Sequence, residues 1–213
     1  LPCGINDREL LKAMAPYCGF PEDDCDKVFI TLDKMDKIGL DGVAAELMEM
    51  GYAKESVDRY RELLASVKND AAGVRALGET LKGVLKEGTA EGLANIMETV
   101  SSTAEAEFGI EFDPTLVRGM GYYTGTIFEV SMEGFGGSVA GGGRYDKMIG
   151  KFTGMDTPAC GFSIGFEQNL FTILLTTMAL KVPAAIRKEG ISSLSKNNRK
   201  TRSFPRMIKR EDS

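Results

Sequence analysis

The apolar residues of this chain follow two different periods. Up to about residue 104 they recur every three or four positions, which is the spacing of amphipathic helices. Asn6 or Asp7 is placed to cap the first helix, which reaches Tyr17 and ends at Gly19. Further helices are predicted over residues 22–38, 41–50 and 54–64, and from residue 89 onward.

Near Phe108 the period changes from helical to alternating. Strands are predicted over residues 110–113, 126–132, 138–140 and 159–164, with a turn at 133–137. A helix or turn is predicted at residues 145–149 and a helix at 166–180. An antiparallel meander that follows a helical region and is closed by a helix indicates the α+β class.

Composition permits a globular protein with a core of ordinary size, since 43% of the 213 residues are hydrophobic. The longest apolar run lies around residues 171–175, far short of the roughly 20 residues of a membrane span, so we expect no membrane association. The first residues have neither the basic start nor the apolar stretch of a signal peptide. Because the chain opens on leucine rather than methionine, we expect a fragment.

The ionisable and sulfur-bearing residues exclude several kinds of site. The four cysteines show no Cys-x-x-Cys spacing and the chain has no histidine, so a zinc site would have few ligands. The lack of histidine also excludes a Ser/His or Cys/His dyad within this chain. We interpret the cysteines as reduced and the protein as cytoplasmic.

Positive charge is concentrated at the C-terminus. Residues 181–213 hold ten Lys and Arg against three Asp and Glu, while the whole chain has a net charge of −5. We expect this basic tail to be disordered or foreign to the rest of the chain, with contact to RNA as the alternative.

One segment combines the residues of a small-molecule pocket. Arg118 stands close to Tyr122 and Tyr123 in a stretch that alternates like a strand, and three glycines follow at 141–143. A fixed cation, aromatic walls with hydroxyl groups and backbone without Cβ atoms suit a small polar substrate. The alternative is a surface arginine beside tyrosines that pack across strands.

Three motifs in this region resemble those of one enzyme family. RGMGYYTGTIFE at residues 118–129 is very similar to the histidine-specific motif of histidyl-tRNA synthetases, and SVAGGGRYD at 138–146 resembles the next motif of that family. TPACGFSIGFE at 157–167 resembles class II motif 3, and ITLDKMDKIG at 30–39 resembles part of the helical insertion between motifs 2 and 3. The resemblance covers about residues 5 to 180.

The resemblance implies a partial class II catalytic domain, in which helices flank an antiparallel sheet. It assigns residues 1–106 to the all-helical insertion, 107–180 to the C-terminal half of the catalytic core, and 181–213 to the basic tail. The implied reaction is formation of histidyl-adenylate from histidine and ATP with Mg²⁺ as co-substrate, followed by transfer to tRNA(His). The implied enzyme is a homodimer without a resident metal.

The resemblance also implies a role for individual residues. Arg118 would be catalytic, bridging the histidine carboxylate and the α-phosphate of ATP. The residues implied to bind histidine are Arg118, Tyr122, Tyr123, Gly141 and Gly142. Those implied to bind ATP are Gly161, Gly165, Glu167 and Gln168.

The chain departs from the family pattern at two positions. Gly121 stands where the family has an acidic residue, and Gln168 stands where the motif 3 arginine clamps the γ-phosphate of ATP. A neutral amide cannot offset phosphate charge, so weaker use of ATP is expected. A change of reading frame between residues 168 and 181 would explain both Gln168 and the unrelated tail.

No segment resembles motif 1, motif 2 or the anticodon-binding domain, so we expect this chain alone not to catalyse the reaction. One alternative is a non-charging paralogue that binds histidine as a regulatory subunit of histidine biosynthesis. Another is a helical RNA-contact module over residues 6–104. Glu129 is either the partner of a cation or an outward carboxylate, and Arg144 with Asp146 either form a local ion pair or contact a ligand.

Overall fold

The computed structural model describes residues 2–105, 108–119, 121–132, 137–155 and 157–166. A compact unit ends at Ile164, and residues from Gly165 onward form a second unit. The described residues end at Phe166, so the rest of the predicted helix at 166–180 and the whole basic tail lie outside them.

The described residues form seven α-helices and five strands. They are β1 (Pro2–Asp7), α1 (Arg8–Tyr17), α2 (Cys25–Leu32), α3 (Met35–Glu49), α4 (Lys54–Ser66), α5 (Ala71–Thr80), α6 (Thr89–Thr103), β2 (Gly109–Phe112), β3 (Thr126–Ser131), β4 (Ser138–Arg144), α7 (Asp146–Thr153) and β5 (Cys160–Ile164). A short 3₁₀ turn, Glu22–Asp24, precedes α2.

The strands form one five-stranded sheet in the order β2-β1-β3-β4-β5, flanked by helices. The predicted α+β class is therefore confirmed. One pair departs from the predicted antiparallel pattern, because β1 and β2 run parallel, and the other three pairs are antiparallel. The chain makes the crossover between β1 and β2 through the six helices α1 to α6.

Strand β1 corrects the prediction that residues 1–106 are entirely helical. Pro2–Asp7 lies between β2 and β3 and is paired on both sides. Proline, glycine, asparagine and aspartate are all uncommon in strands, so local propensity gives no signal here. Hydrogen bonding to two neighbouring strands outweighs that propensity.

The helical boundaries differ from prediction in two places. The predicted helix over residues 22–38 is broken, since α2 ends at Leu32 and α3 begins at Met35 and kinks at Gly39, whose φ is +71°. Helix α5 is absent from the prediction because its glycines are poor helix formers. Gly73 is required there, since a Cβ atom would lie 2.1 Å from the Lys68 carbonyl oxygen.

The core joins the helices to the sheet. Buried residues from all six helices α1 to α6 form one cluster with Ile5 of β1, Phe112 of β2 and Ile127 of β3. Helix α6 packs on β1 and β2 and also contacts α1. The part of the sheet formed by β2, β1 and β3 therefore packs against the long helical segment that precedes β2.

Of the two predicted caps for α1, the structure selects Asp7. Its Oδ1 accepts a hydrogen bond from the Glu9 N–H at 2.9 Å, and its Oδ2 accepts one from the Thr126 hydroxyl at 3.1 Å. Asn6 instead donates from Nδ2 to the Leu116 carbonyl oxygen at 3.2 Å. Asp7 thus links the start of α1 to the start of β3.

Asp7→Asn is expected to gain stability relative to the wild type as the pH rises from 3.5 to 7. Burial raises the pKa of Asp7 above its usual value, against hydrogen bonds from Glu9 and Thr126 that lower it. The wild type therefore loses stability as the pH rises through the folded-state pKa, whereas asparagine caps α1 without titrating. Urea denaturation of both proteins at several pH values measures the difference, about 1.4 kcal/mol per pKa unit. A pH-independent difference would contradict the prediction.

Candidate functional site

The strand register divides the residues of the sheet between two faces. Directly paired residues on neighbouring strands share a face, and successive residues of one strand alternate. One face, called here the site face, contains two rows across four strands. The first row consists of Gly4, Glu129, Gly141 and Ser163. The second row consists of Asn6, Ile127, Gly143 and Gly161.

Arg118 does not belong to a strand, contrary to the predicted alternation from residue 118. The loop between β2 and β3 carries it, and β3 begins only at Thr126. The loop is anchored where Asn6 binds the Leu116 carbonyl oxygen, and Leu116 and Val117 are both buried. Their burial fixes the backbone that precedes Arg118.

The Arg118 guanidinium is held over the site face by Glu129 of β3. Nε and Nη2 donate to the two carboxylate oxygens at 2.5 and 3.1 Å, and Nη1 lies 3.9 Å from Asp33 Oδ1. The hydrogen bond that Arg118 donates to the Glu129 carboxylate raises the pKa of Arg118. Of the two roles considered for Glu129, partner of a cation is the one confirmed.

A cavity of about 200 Å³ adjoins this pair. Arg118 and Glu129 line it together with Gly4 and with four further polar residues from α3 and the nearby loops. These are Asp33, Asp36, Asp113 and Thr115. The cavity thus contains one guanidinium among four carboxylates, an arrangement suited to a ligand that carries both charges.

The two tyrosines follow a turn at Gly119, where both backbone N–H groups donate to the Gly119 carbonyl oxygen at 3.0 Å. The ring of Tyr123 covers Gly143 on the site face, since a Cβ atom there would lie 2.9 Å from that ring. Tyr122 and Tyr123 have ring centroids 4.3 Å apart. Burial and the hydrogen bond with Tyr122 raise the pKa of Tyr123 to about 12, so its hydroxyl is protonated at neutral pH.

The tyrosines line a second cavity, of about 270 Å³. Its other walls come from α1 and α7, and it is called here the basic cavity. Its charged residues are Arg8, Glu9, Lys12, Lys147 and Lys151. The structure therefore brings Arg118 and Tyr123 to the same face of the sheet but into different cavities.

The predicted glycines fall on both faces. Gly141 and Gly161 lie on the site face, where a Cβ atom on Gly161 would meet the Tyr145 hydroxyl at 2.5 Å. Gly142 lies on the opposite face, and a Cβ atom there would lie 2.2 Å from the Gly161 carbonyl oxygen. Gly165 directly follows β5, and Glu167 and Gln168 lie outside the described residues.

Arg144 and Asp146 form a local ion pair, with Arg144 Nε donating to Asp146 Oδ2 at 2.7 Å. Asp146 Oδ1 also accepts from the Ala159 N–H at 3.0 Å. The carboxylate therefore joins the end of β4 to the segment before β5, as in the local alternative considered for this pair.

Sequence reasoning missed part of both cavities. Asp33 and Asp36 belong to the stretch likened to the helical insertion, but their approach to Arg118 depends on the turn between α2 and α3. Lys147 and Lys151 are four residues apart in α7, and this spacing was the available signal for a shared helical face.

For metal sites, cysteines and membrane-spanning helices, only the described residues can be searched. Among them, no group of three or more Cys, Asp or Glu is arranged to hold a metal ion. Cys3, Cys18, Cys25 and Cys160 are all free. No described helix combines the length and apolar character that crossing a membrane requires.

Sequence comparisons identify related proteins. The profile of the family described as histidyl-tRNA synthetase matches residues 5–168. The histidine–tRNA ligase of Leifsonia xyli subsp. xyli is 44% identical over 169 residues, which make up 77% of this chain and 39% of that protein. The histidine–tRNA ligase of Aeropyrum pernix is 39% identical over 171 residues, 77% of this chain and 37% of that protein. This chain thus spans about two fifths of the length of these curated relatives.

Solved structures share the fold. Histidyl-tRNA synthetase from Nostoc sp. PCC 7120 aligns with a TM-score of 0.68 at 24% identity, over 82% of this chain and 42% of that one. A Bacillus halodurans protein described as an ATP phosphoribosyltransferase regulatory subunit/histidyl-tRNA synthetase aligns with a TM-score of 0.60 at 23% identity, over 76% and 41%. At these identities the similarity concerns the fold.

Proposed function

We propose that this chain, which belongs to the histidyl-tRNA synthetase family, supplies one part of a histidine–tRNA ligase active site. The observation that carries the proposal is the bidentate pair of Arg118 and Glu129 on a sheet face left open by glycine. In the proposed reaction, histidine and ATP give histidyl-adenylate and pyrophosphate. The histidyl group then passes to the 3′ end of tRNA(His).

Arg118 is proposed to stabilise the first step. A carboxylate oxygen of histidine forms a bond to the α-phosphorus of ATP, and the bond from that phosphorus to pyrophosphate breaks. Negative charge builds on the phosphoryl oxygens, and a planar guanidinium fixed in advance stabilises it through two parallel hydrogen bonds. Mg²⁺ enters as part of the ATP substrate. Glu129 holds the guanidinium in place before the substrates arrive.

The surrounding groups suit histidine. An amino acid carries a carboxylate and an ammonium group, and the cavity beside Arg118 offers both a cation and carboxylates. The protonated hydroxyl of Tyr123 can hydrogen-bond to an imidazole nitrogen, and such a bond rejects analogues that lack the nitrogen more strongly than shape does. Tyr122 and the backbone at Gly141 complete the proposed histidine pocket, whereas Gly142 lies on the opposite face of the sheet and is not part of it. Gly161, Gly165, Glu167 and Gln168 are proposed to bind ATP.

The proposed site is incomplete in this chain. Since the chain spans 39% of the Leifsonia relative, we assign the remaining contacts to histidine, ATP and tRNA to the rest of a longer enzyme. We propose that this enzyme is a cytoplasmic homodimer. Residues 107–180 would be the C-terminal half of its catalytic core, extended by strand β1, and α2 to α6 its helical insertion.

A chimera tests the proposal. Residues 5–166 of this chain replace the aligned segment in the Leifsonia histidine–tRNA ligase, which then provides every missing part. We expect histidine-dependent exchange of pyrophosphate into ATP by the chimera. A folded chimera that fails to catalyse exchange would contradict the proposal.

Calorimetry on the 213-residue chain distinguishes a ligase fragment from the regulatory alternative. A fragment with half a site is expected to bind neither histidine nor ATP measurably. Histidine binding without ATP would instead favour the histidine-binding regulatory paralogue, whose retention of Arg118, Tyr122 and Tyr123 would then be explained by sensing.

A second chimera that ends at residue 168 is expected to use ATP less well than the chimera that ends at 166. It carries Gln168 where the family has an arginine, and it loses a charge-assisted hydrogen bond of about 1.5–3 kcal/mol, roughly 10-fold to 150-fold. The measurement is the KM for ATP and kcat in pyrophosphate exchange. Gln168→Arg in the same chimera should restore both, and equal kinetics for the two chimeras would contradict the prediction.

A further inference from the structure

The cavity beside Arg118 has more negative than positive charge in its lining. Of its four carboxylates, the one on Glu129 is paired with Arg118. The one on Asp113 accepts hydrogen bonds from the backbone N–H and the hydroxyl of Thr115, at 2.9 and 2.6 Å. Within the described residues, the carboxylates of Asp33 and Asp36 accept no hydrogen bond. These two are therefore available to act on a ligand.

The Arg118 guanidinium has one edge left for such a ligand. Nε and Nη2 are bound to Glu129, whereas Nη1 points towards Asp33, whose Oδ1 is 3.9 Å away and too far for a direct hydrogen bond. Both side chains are about half exposed, at 51% and 50%. Besides the hydrogen bond to Glu129, the charges of Asp33 and Asp36 raise the pKa of Arg118. An anionic group that binds Nη1 therefore has Asp33 beside it.

The turn between α2 and α3 holds Asp33 at this edge. Leu32, the last residue of α2, is fully buried, and the Asp33 N–H donates to the Phe29 carbonyl oxygen at 2.9 Å. The next residue, Lys34, forms an ion pair with Glu46 in the second half of α3. The backbone is thus held on both sides of Asp33, and its carboxylate is presented to the cavity.

This placement lets one carboxylate discriminate between ligands. A ligand carboxylate on Nη1 is repelled by Asp33, and water screens the repulsion only in part at a half-exposed site. An ammonium group on the same ligand offsets the repulsion, because Asp33 attracts it. A carboxylate without an ammonium group has no such compensation.

We propose that Asp33 is a specificity-determining residue, which makes Arg118 select a carboxylate that is accompanied by an ammonium group over one that is not. That the selected ligand is histidine rests on the proposed function. The α2–α3 turn of the helical segment thereby takes part in substrate selection at the sheet.

NMR of the full 213-residue chain tests the proposal with acetate and glycine, which share a carboxylate and differ in the ammonium group. The Arg118 Nε–H resonance, assigned by its loss in Arg118→Lys, reports binding too weak for calorimetry. We expect the wild type to bind glycine more tightly than acetate. Asp33→Asn should reduce this preference by about 2-fold to 5-fold, the range for an exposed charge pair.

Two variants control for loss of structure. Asp33→Glu keeps the negative charge and should retain the preference for glycine. Asp41→Asn removes another exposed carboxylate that pairs with an arginine, since Asp41 Oδ1 lies 3.0 Å from Arg61 Nη2, but Asp41 does not line the cavity. It should leave the preference unchanged.

The chimera extends the test to the proposed substrate. The probe is 3-(imidazol-4-yl)propionate, which is histidine without its ammonium group. Asp33→Asn should lower the Ki of this inhibitor relative to the KM for histidine in pyrophosphate exchange, again by about 2-fold to 5-fold.

Three NMR results would overturn the proposal. They are an unchanged preference for glycine in Asp33→Asn, an equal loss of affinity for both probes, which would indicate a structural role, and no response of the Arg118 resonance to either probe. The NMR measurement involves no catalysis, so it decides the role of Asp33 even if the chimera fails to catalyse exchange and the proposed function is thereby contradicted.

Discussion

Arg118→Ala is expected to lower kcat/KM for histidine-dependent pyrophosphate exchange by about 10²–10³-fold in the chimera, the usual cost of removing a group that stabilises developing negative charge. Arg118→Lys should recover only part of the loss, because an ammonium group keeps the charge but cannot form two parallel hydrogen bonds. Steady-state kinetics with histidine and ATP varied separately provide the measurement.

Two further variants separate the guanidinium from its position. Glu129→Gln leaves Arg118 present but removes its charged, bidentate partner. We therefore expect kcat/KM to fall less than in Arg118→Ala. Glu129→Asp, which keeps the negative charge, should recover part of this loss. Arg61→Ala is the matched control, since Arg61 pairs with Asp41 at 3.0 Å between α4 and α3. If Arg118→Ala reduced activity no more than Arg61→Ala does, Arg118 would have no catalytic role.

The part of this site that sequence could predict is the part encoded locally. The motifs at residues 118–129 and 138–146 predicted the family, which the comparisons confirm, and the alternating pattern located β3 and β5 to within a residue or two. Burial on one face of a strand imposes a period that remains visible in a single sequence.

The rest depends on contacts between distant segments. Strand β1 has no local signal and is defined by its pairing with β2 and β3, more than 100 residues away. The approach of Asp33 to Arg118 depends on the break between α2 and α3, because Asp33 lies in the turn between these helices. Single-sequence periodicity contains no information about either contact.

The glycines at 141–143 show the same limit at the scale of one residue. A close approach of backbone to ligand was predicted for all three, but alternation in β4 places Gly142 on the opposite face from Gly141 and Gly143. Which glycine faces the substrate depends on the register, and a shift of one residue would exchange the faces. Substitution of glycine by alanine is therefore expected to have different consequences at Gly141 and at Gly142.

Gly142→Ala is expected to destabilise the edge of the sheet by about 1–3 kcal/mol or more, the cost of inserting a methyl group where no space exists. Its Cβ atom would lie 2.2 Å from the Gly161 carbonyl oxygen and 2.7 Å from the Phe162 Cα, and both belong to the backbone of β5. Because neither atom can rotate away, the β4–β5 pair must separate. Hydrogen exchange of the β5 amides and urea denaturation of the chain measure the effect.

Gly141→Ala is the matched control, because Gly141 lies next to Gly142 in β4 but a Cβ atom there meets a much smaller obstacle. The nearest atom to its Cβ position is the Phe128 carbonyl oxygen at 3.2 Å, so the loss of stability should be small. Its methyl group would project from the row that contains Glu129 and Ser163, into the space proposed for histidine. Gly141→Ala should therefore impair pyrophosphate exchange in a stable chimera, and equal loss of stability in both variants would contradict the assignment of the two glycines to opposite faces.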